Sequence, residues 1–212
     1  MFYIYKPDFG NLADKGLQYK DVITYVGIRS FYNEKDKFCF PSYRTIVKRI
    51  GCSIKFLRES IERLQGSGYL RVLKVSSMRP RHYYKFDDVG TFRRIPFEML
   101  IDEELKIGEK ATLAVLQEYC SSDVSYITLV DVAIQAGISH RTLMSNFQAL
   151  LLKGYVVEYF FEDLLNSTVV NTFRLTSKLN WNWATKSFYK QTSEGNDLLD
   201  FAMKIIKTPR MR

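Results

Sequence analysis

Histidine is close to absent from this chain: His82 and His140 are the two in 212 residues, far apart in sequence. Cysteine is scarce as well, with Cys39, Cys52 and Cys120 forming an odd set without a CxxC pair. A structural zinc site draws on four clustered ligands at short Cys/His spacings. No metal is therefore expected, and the thiols are expected to be buried and reduced. Long apolar runs are missing too, and nothing approaches the roughly 20 residues that span a bilayer. The start, MFYIYKPDF, lacks a basic region followed by an apolar run, so no signal peptide, no membrane partner and a cytoplasmic location are expected. There is no GxxxxGK[ST] phosphate loop, no GxGxxG after a strand and no GxSxG nucleophile elbow. Neither histidine has a sequence-local carboxylate or cysteine partner, and the acidic residues are scattered. The chain is expected to bind no cofactor and to be no enzyme.

What is present is an ordinary globular composition, 46% apolar and 25% charged, with a net charge of +8. The length suits one large domain or two of about 100 residues each. The charge is lopsided. Residues 1–90 hold 17 Lys and Arg against 9 Asp and Glu; residues 91–180 hold 8 against 11, and residues 181–212 hold 6 against 3. A basic stretch points to a polyanionic partner, nucleic acid being the commonest. The competing account is a merely solvated basic surface.

The chain also repeats itself. Residues 51–69, GCSIKFLRESIERLQGSGY, and residues 137–155, GISHRTLMSNFQALLLKGY, align without a gap at a shift of 86. Gly51 meets Gly137, Ser53 meets Ser139, Leu57 meets Leu143, Leu64 meets Leu150, Gly68 meets Gly154 and Tyr69 meets Tyr155. Each copy follows a short helical segment and precedes a β-rich run, the layout of a helix-turn-helix ending in a β-wing. The expected fold is mostly α with small β-hairpin wings (α+β), as tandem winged helix-turn-helix domains. The divisions are 1–90, 91–180 and a tail at 181–212.

In the first copy, apolar residues at helical spacing place a helix in 18–32. Pro41-Ser42 opens the next helix with Ser42 as its cap, and Gly51 ends it. Ser53 caps a third helix over 54–66, with Leu57, Ile61 and Leu64 inward and Ile54, Lys55, Arg58, Glu59, Glu62 and Arg63 outward. Tyr69–Val75 and His82–Phe86 make a hairpin whose tip, SSMRPR at 76–81, is basic. In such a unit the third helix enters a major groove by its N-terminal half. That assigns Ser53, Lys55 and Arg58 to bases, since arginine reads guanine bidentately and lysine holds guanine or phosphate. Arg44, Lys48 and Arg49 are candidates for phosphates, and Arg79 and Arg81 for phosphates or a minor groove. For any one of these cations a solvated surface is the competing account; as a group they gather on the elements this motif aims at DNA.

The string at 38–70, FCFPSYRTIVKRIGCSIKFLRESIERLQGSGYL, resembles the helix-turn-helix domains of phage and plasmid replication proteins, a DnaD-like winged-helix group. Phe40, Pro41, Ser42, Thr45, Gly51, Ser53, Leu57, Leu64, Gly68, Tyr69 and Leu70 match that group's pattern. Val47 stands where a small residue is usual and Phe56 where threonine is usual. The likeness covers about residues 20–86. It implies a winged helix that binds double-stranded DNA, in a replication initiator or accessory protein of a phage or mobile element. Transcriptional regulators share the module, so regulation stays open. So does a third role, a protein-assembly adaptor that binds no DNA.

In the second copy, Thr91–Ile95 reads as a connection or edge strand, and FEMLIDEEL as an entry segment. Helices follow at 108–121 and 128–136, then a third capped by Ser139, and strands at Tyr155–Phe161 and Val169–Leu175. The third helix shows His140, Arg141, Met144, Ser145 and Gln148 outward, of which Arg141 and Ser145 are DNA candidates. The wing at 162–168, EDLLNST, is acidic and apolar. This copy either reads bases with little backbone help or serves a protein partner. A homodimer contact, or a replication or transcription partner, is expected to fall on 91–212. In the tail, Trp181 and Trp183 share a face if extended and are expected to pack on the second copy. Residues 197–206, DLLDFAMKII, are amphipathic.

Overall fold

The computed structural model describes residues 3–75, 81–87, 90–120, 122–125, 127–163 and 168–188. Two passes of one pattern are visible, each a strand, a short helical turn, three helices and a hairpin. The first pass is β1 (Tyr3–Pro7), a 3-10 turn at Ala13–Lys15, α1 (Asp21–Arg29), α2 (Tyr43–Ile50), α3 (Ile54–Gly66), β2 (Leu70–Val75) and β3 (Arg81–Phe86). The second is β4 (Gly90–Pro96), α4 (Phe97–Ile101), α5 (Ile107–Leu116), α6 (Leu129–Ala136), α7 (His140–Leu152), β5 (Val156–Asp163) and β6 (Thr168–Leu175). A last strand, β7 (Asn182–Phe188), follows. The 86-residue shift carries α2 onto α6 and α3 onto α7 residue for residue.

The caps explain that fidelity. Ser42 and Ser53 each accept from the amide three residues on, Thr45 and Phe56, at 3.1 Å. Thr128 and Ser139 do the same from Asp131 and Thr142 at 3.2 Å. Each cap satisfies an amide that the first helical turn would leave open. Gly51 and Gly137 end α2 and α6 at φ +73 and +66, a conformation that glycine takes without steric cost.

α1 and α5 are buried on every side and pack against each other at the centre. A helix buried all round belongs to a core rather than to a surface. One apolar cluster runs through both copies, with Ile28, Leu57 and Leu64 from the first and Leu113, Leu143 and Leu150 from the second. Residues on either side of position 90 therefore share an interior.

Among the described residues three small antiparallel sheets complete the fold: β2–β3, β5–β6 and a three-stranded sheet in the order β1–β4–β7. The stretch expected at 91–95 as a connection or edge strand is instead the central strand of that sheet. Tyr3 pairs with Pro96 on one side of it and Thr91 with Ser187 on the other. Residues 182–188 thus enter the sheet rather than a separate tail. Trp181 and Trp183 stack at 6.2 Å and pack on the main core. The helix expected over 108–121 stops at Leu116 and tightens into a 3-10 turn at Gln117–Tyr119. The helix expected within 18–32 is confined to Asp21–Arg29. The amphipathic stretch 197–206 lies outside the described residues. Among the described residues no helix is long and apolar enough to cross a membrane.

Candidate nucleic-acid interface

α3 lies with Leu57, Ile61 and Leu64 in the core, so geometry alone turns its other side outward. Ser53, Lys55, Arg58, Glu59 and Glu62 are exposed. Ser53 has its hydroxyl engaged as the α3 cap. On α2, Ile46 and Ile50 face inward, leaving Arg44 and Lys48 exposed one turn apart. These four cations, Arg44, Lys48, Lys55 and Arg58, stand on the two helices joined by the Gly51 turn.

The hairpin closes the third side. Its register sets Lys74 opposite His82, and alternation puts this pair on the same face as Val72 and buried Tyr84. At the far end of that face the His82 ring lies 4.8 Å from the Tyr43 ring, and Tyr43 in turn lies 5.9 Å from the Arg58 guanidinium. The structure thus brings α2, α3 and the hairpin together at Tyr43, Arg58, His82 and Lys74. Sequence reasoning passed over Tyr43, Lys74 and His82; strand alternation counted back from Tyr84 is the signal that finds the latter two. On the hairpin's opposite face Arg81 is exposed and lies 5.8 Å from the ring of Phe40, itself 49% exposed. Arg79 lies outside the described residues.

Two cations expected at the surface are engaged elsewhere. Arg49 donates to the Ser30 hydroxyl at 2.8 Å and lies 3.8 Å over the Phe31 ring and 5.1 Å from the Phe97 ring. Burial also lowers its pKa. It packs half-buried between α2 and α4, with its guanidinium already held by these contacts. Arg63, expected outward on α3, makes a bidentate pair with Asp21 at 2.8 Å on both arms. Its partner lies 42 positions away, beyond the reach of a helical-wheel argument.

Electrostatics tune the site. Burial, then the nearby Lys74 and Arg58 charges, hold the His82 pKa below its usual value. Burial, then Glu62, raises the Tyr43 phenol, against the opposing pull of Arg58. Burial pushes the Cys39 and Cys120 thiols up to about 12 and Cys52 to about 11, which makes all three poor nucleophiles and poor metal ligands.

An anion approaching Arg58 and Lys74 should therefore shift the His82 titration. In the free fold its protonation is disfavoured, so folding stability falls as pH drops from about 6.5 through the lowered folded value. A phosphate beside Arg58 and Lys74 reverses that penalty and favours the charged ring. Duplex affinity should then rise as pH falls below about 6.5, and His82→Gln should flatten the trend. Titration of binding between pH 5 and 8 checks this; an unchanged slope in the variant removes His82 from the interface.

In the second copy His140, Arg141, Ser145 and Gln148 are exposed on α7 and Met144 is half-buried. Arg141 holds the place of Lys55, while Met144 replaces Arg58. On α6 the positions equivalent to Arg44 and Lys48 are Val130 and Ile134, 52% and 67% exposed. Cations that flank α3 have apolar counterparts beside α7. The middle of the acidic wing, residues 164–167, lies outside the described residues.

No curated protein and no solved structure matches the chain. A protein-family comparison does find a match, over residues 15–70, from before α1 to the first residue of β2. The family is described as a helix-turn-helix domain, and its matched stretch contains α2, α3 and the Gly51 turn between them.

Proposed function

We propose that this chain is a sequence-specific, double-stranded DNA-binding protein that carries out no chemistry of its own, a tandem winged-helix protein acting in the cytoplasm. The observation that carries the reading is the exposed N-terminal half of α3, where Lys55 is exposed and Arg58 stands beside Tyr43, His82 and Lys74, with Arg44 and Lys48 exposed on α2. Its α2 and α3 residues lie within the helix-turn-helix match at 15–70, and the hairpin residues Lys74 and His82 lie beyond it. Arg58 and Lys55 are the base readers, with Ser53 at the start of the helix. Arg44, Lys48 and Arg81 hold phosphates, and such contacts set register while base contacts set preference. The 38–70 string favours a replication initiator or accessory protein of a phage or mobile element over a transcriptional regulator. Exposed Val130 and Ile134 support a second reading for the second copy, a protein contact within 91–212.

Competition binding with point-substituted duplexes tests the assignment. Arg58→Ala should relax preference at one base pair by about 1–3 kcal/mol. Arg44→Ala should weaken all sequences alike and make the salt slope shallower by about 0.9. If the two variants behave identically, α3 is not the reading element.

A further inference from the structure

The contacts between the two copies come in reciprocal pairs. The strand that opens each copy pairs antiparallel with the other: β1 with β4, Tyr3 opposite Pro96 through Pro7 opposite Phe92. The first helix of each copy packs on the other, α1 on α5. The segment entering the first copy seats on the end of α6: the Leu12 amide donates to the Ala136 carbonyl at 3.0 Å, and the Asn11 side-chain amide to the Ile134 carbonyl at 3.4 Å. Gly137 lies so close to this segment that a Cβ there would fall 2.3 Å from the Asn11 side-chain oxygen. The segment entering the second copy does the same in return, with α4 packing on α2 and Phe97 meeting Arg49 one residue before the end of α2.

A contact set in which element i of one unit meets element j of the other, and j meets i, is the mark of an isologous twofold interface. Here the two units lie on one chain. Residue identities have diverged across it while the elements and their pairing have not. Antiparallel neighbours in a sheet are related by a twofold that stands upright on the sheet, so β1 and β4 set an axis with which the α1–α5 and α2–α4 contacts agree. α3 and α7 are therefore presented in opposite orientations about that axis.

Twofold helix-turn-helix dimers read two half-sites about one helical turn apart, arranged as an inverted repeat. Resting on the DNA-binding reading above, we infer that this single chain is the fused counterpart of such a dimer: it binds one duplex across two half-sites in inverted orientation, α3 on one and α7 on the other. The half-sites differ in sequence and strength. The first is read by Lys55 and Arg58 and held by Arg44 and Lys48. The second is read by Arg141, with Ser145 and Gln148 on the same exposed face, and Val130 and Ile134 offer its backbone no charge. The fused dimer thus gives the target a direction, which a homodimer on a palindrome does not have.

The test is selection of bound duplexes from random sequence by the full chain, with the mass of the retained complex. The expected result is two inverted half-sites, centred about 10 base pairs or a multiple apart, with one chain per duplex. Arg141→Ala should lower preference roughly tenfold at the weaker half-site alone, and Arg58→Ala at the stronger one alone. Both residues are exposed, and an unchanged melting temperature confirms that the variants fold. A single half-site overturns the inference while leaving DNA binding intact, as do half-sites in the same orientation or two chains on one site. Retention of no duplex overturns both readings.

Discussion

Arg63→Ala should lower the unfolding free energy by about 3–5 kcal/mol, the cost of leaving a buried charge without its partner. Asp21 has no exposed side-chain surface and Arg63 is 22% exposed, so water cannot replace the guanidinium that grips both carboxylate oxygens. After the substitution Asp21 keeps the Gln18 amide at 2.8 Å and loses the neutralising charge. For a chain of this size that corresponds to roughly 10 °C in melting temperature. The second copy shows how the same site is filled without ions, since Ile107 and Ala149 occupy the equivalent positions. Asp21→Ile together with Arg63→Ala should therefore recover most of the loss, because a buried ion pair and an apolar replacement are often close in energy. A single variant as stable as the parent, or a double variant no better than the single, would show that the pair does not anchor α3 to α1.

Lys6→Met should have an effect of similar size, at the seam between the copies. Lys6 is fully buried on β1 and pairs with Glu118, 7% exposed, in the 3-10 turn after α5. Arg93, on the neighbouring strand, donates to the carbonyls of Glu118 and Cys120 at 2.7 and 3.3 Å and holds the same turn. Removing the ammonium strands the carboxylate in the interior, again about 3–5 kcal/mol. Lys6→Met with Glu118→Leu should restore stability. Chemical denaturation of the full chain reads both. Because the pair crosses from β1 to the second copy, the single variant should still unfold in one transition. Two separated transitions would mean that the copies fold independently, contrary to their shared core.

Local chemistry made much of this fold legible. The caps Ser42, Ser53, Thr128 and Ser139 and the stops Gly51 and Gly137 act within one helical turn, so α2, α3, α6 and α7 could be placed to within a residue. The repeat was visible because those positions, together with Leu57, Leu64, Leu143 and Leu150, build the scaffold. Long-range pairing was not legible. Nothing near residues 91–95 says that a strand from each end of the chain will flank β4. A helical wheel divides α3 into inner and outer faces but cannot see that Arg63, near the boundary, meets Asp21 on α1. Arg49 looked like a phosphate contact for the same reason, since its aromatic partner Phe97 lies in the second copy. The outward set that survives is Arg44, Lys48, Lys55, Arg58 and Arg81, joined by Tyr43, Lys74 and His82. The last three became visible only when the hairpin register was laid against α2.

The central claim is that this surface holds duplex DNA, and the most direct measurement is duplex affinity as a function of salt. With Arg44, Lys48 and Arg81 on phosphates, the logarithmic slope should be near −2.7, about a fortyfold loss between 50 and 200 mM salt. The Arg44→Ala, Lys48→Ala double variant should bring that slope to near −0.9. A flat salt dependence in the parent chain, or a slope that the double variant leaves unchanged, would contradict it.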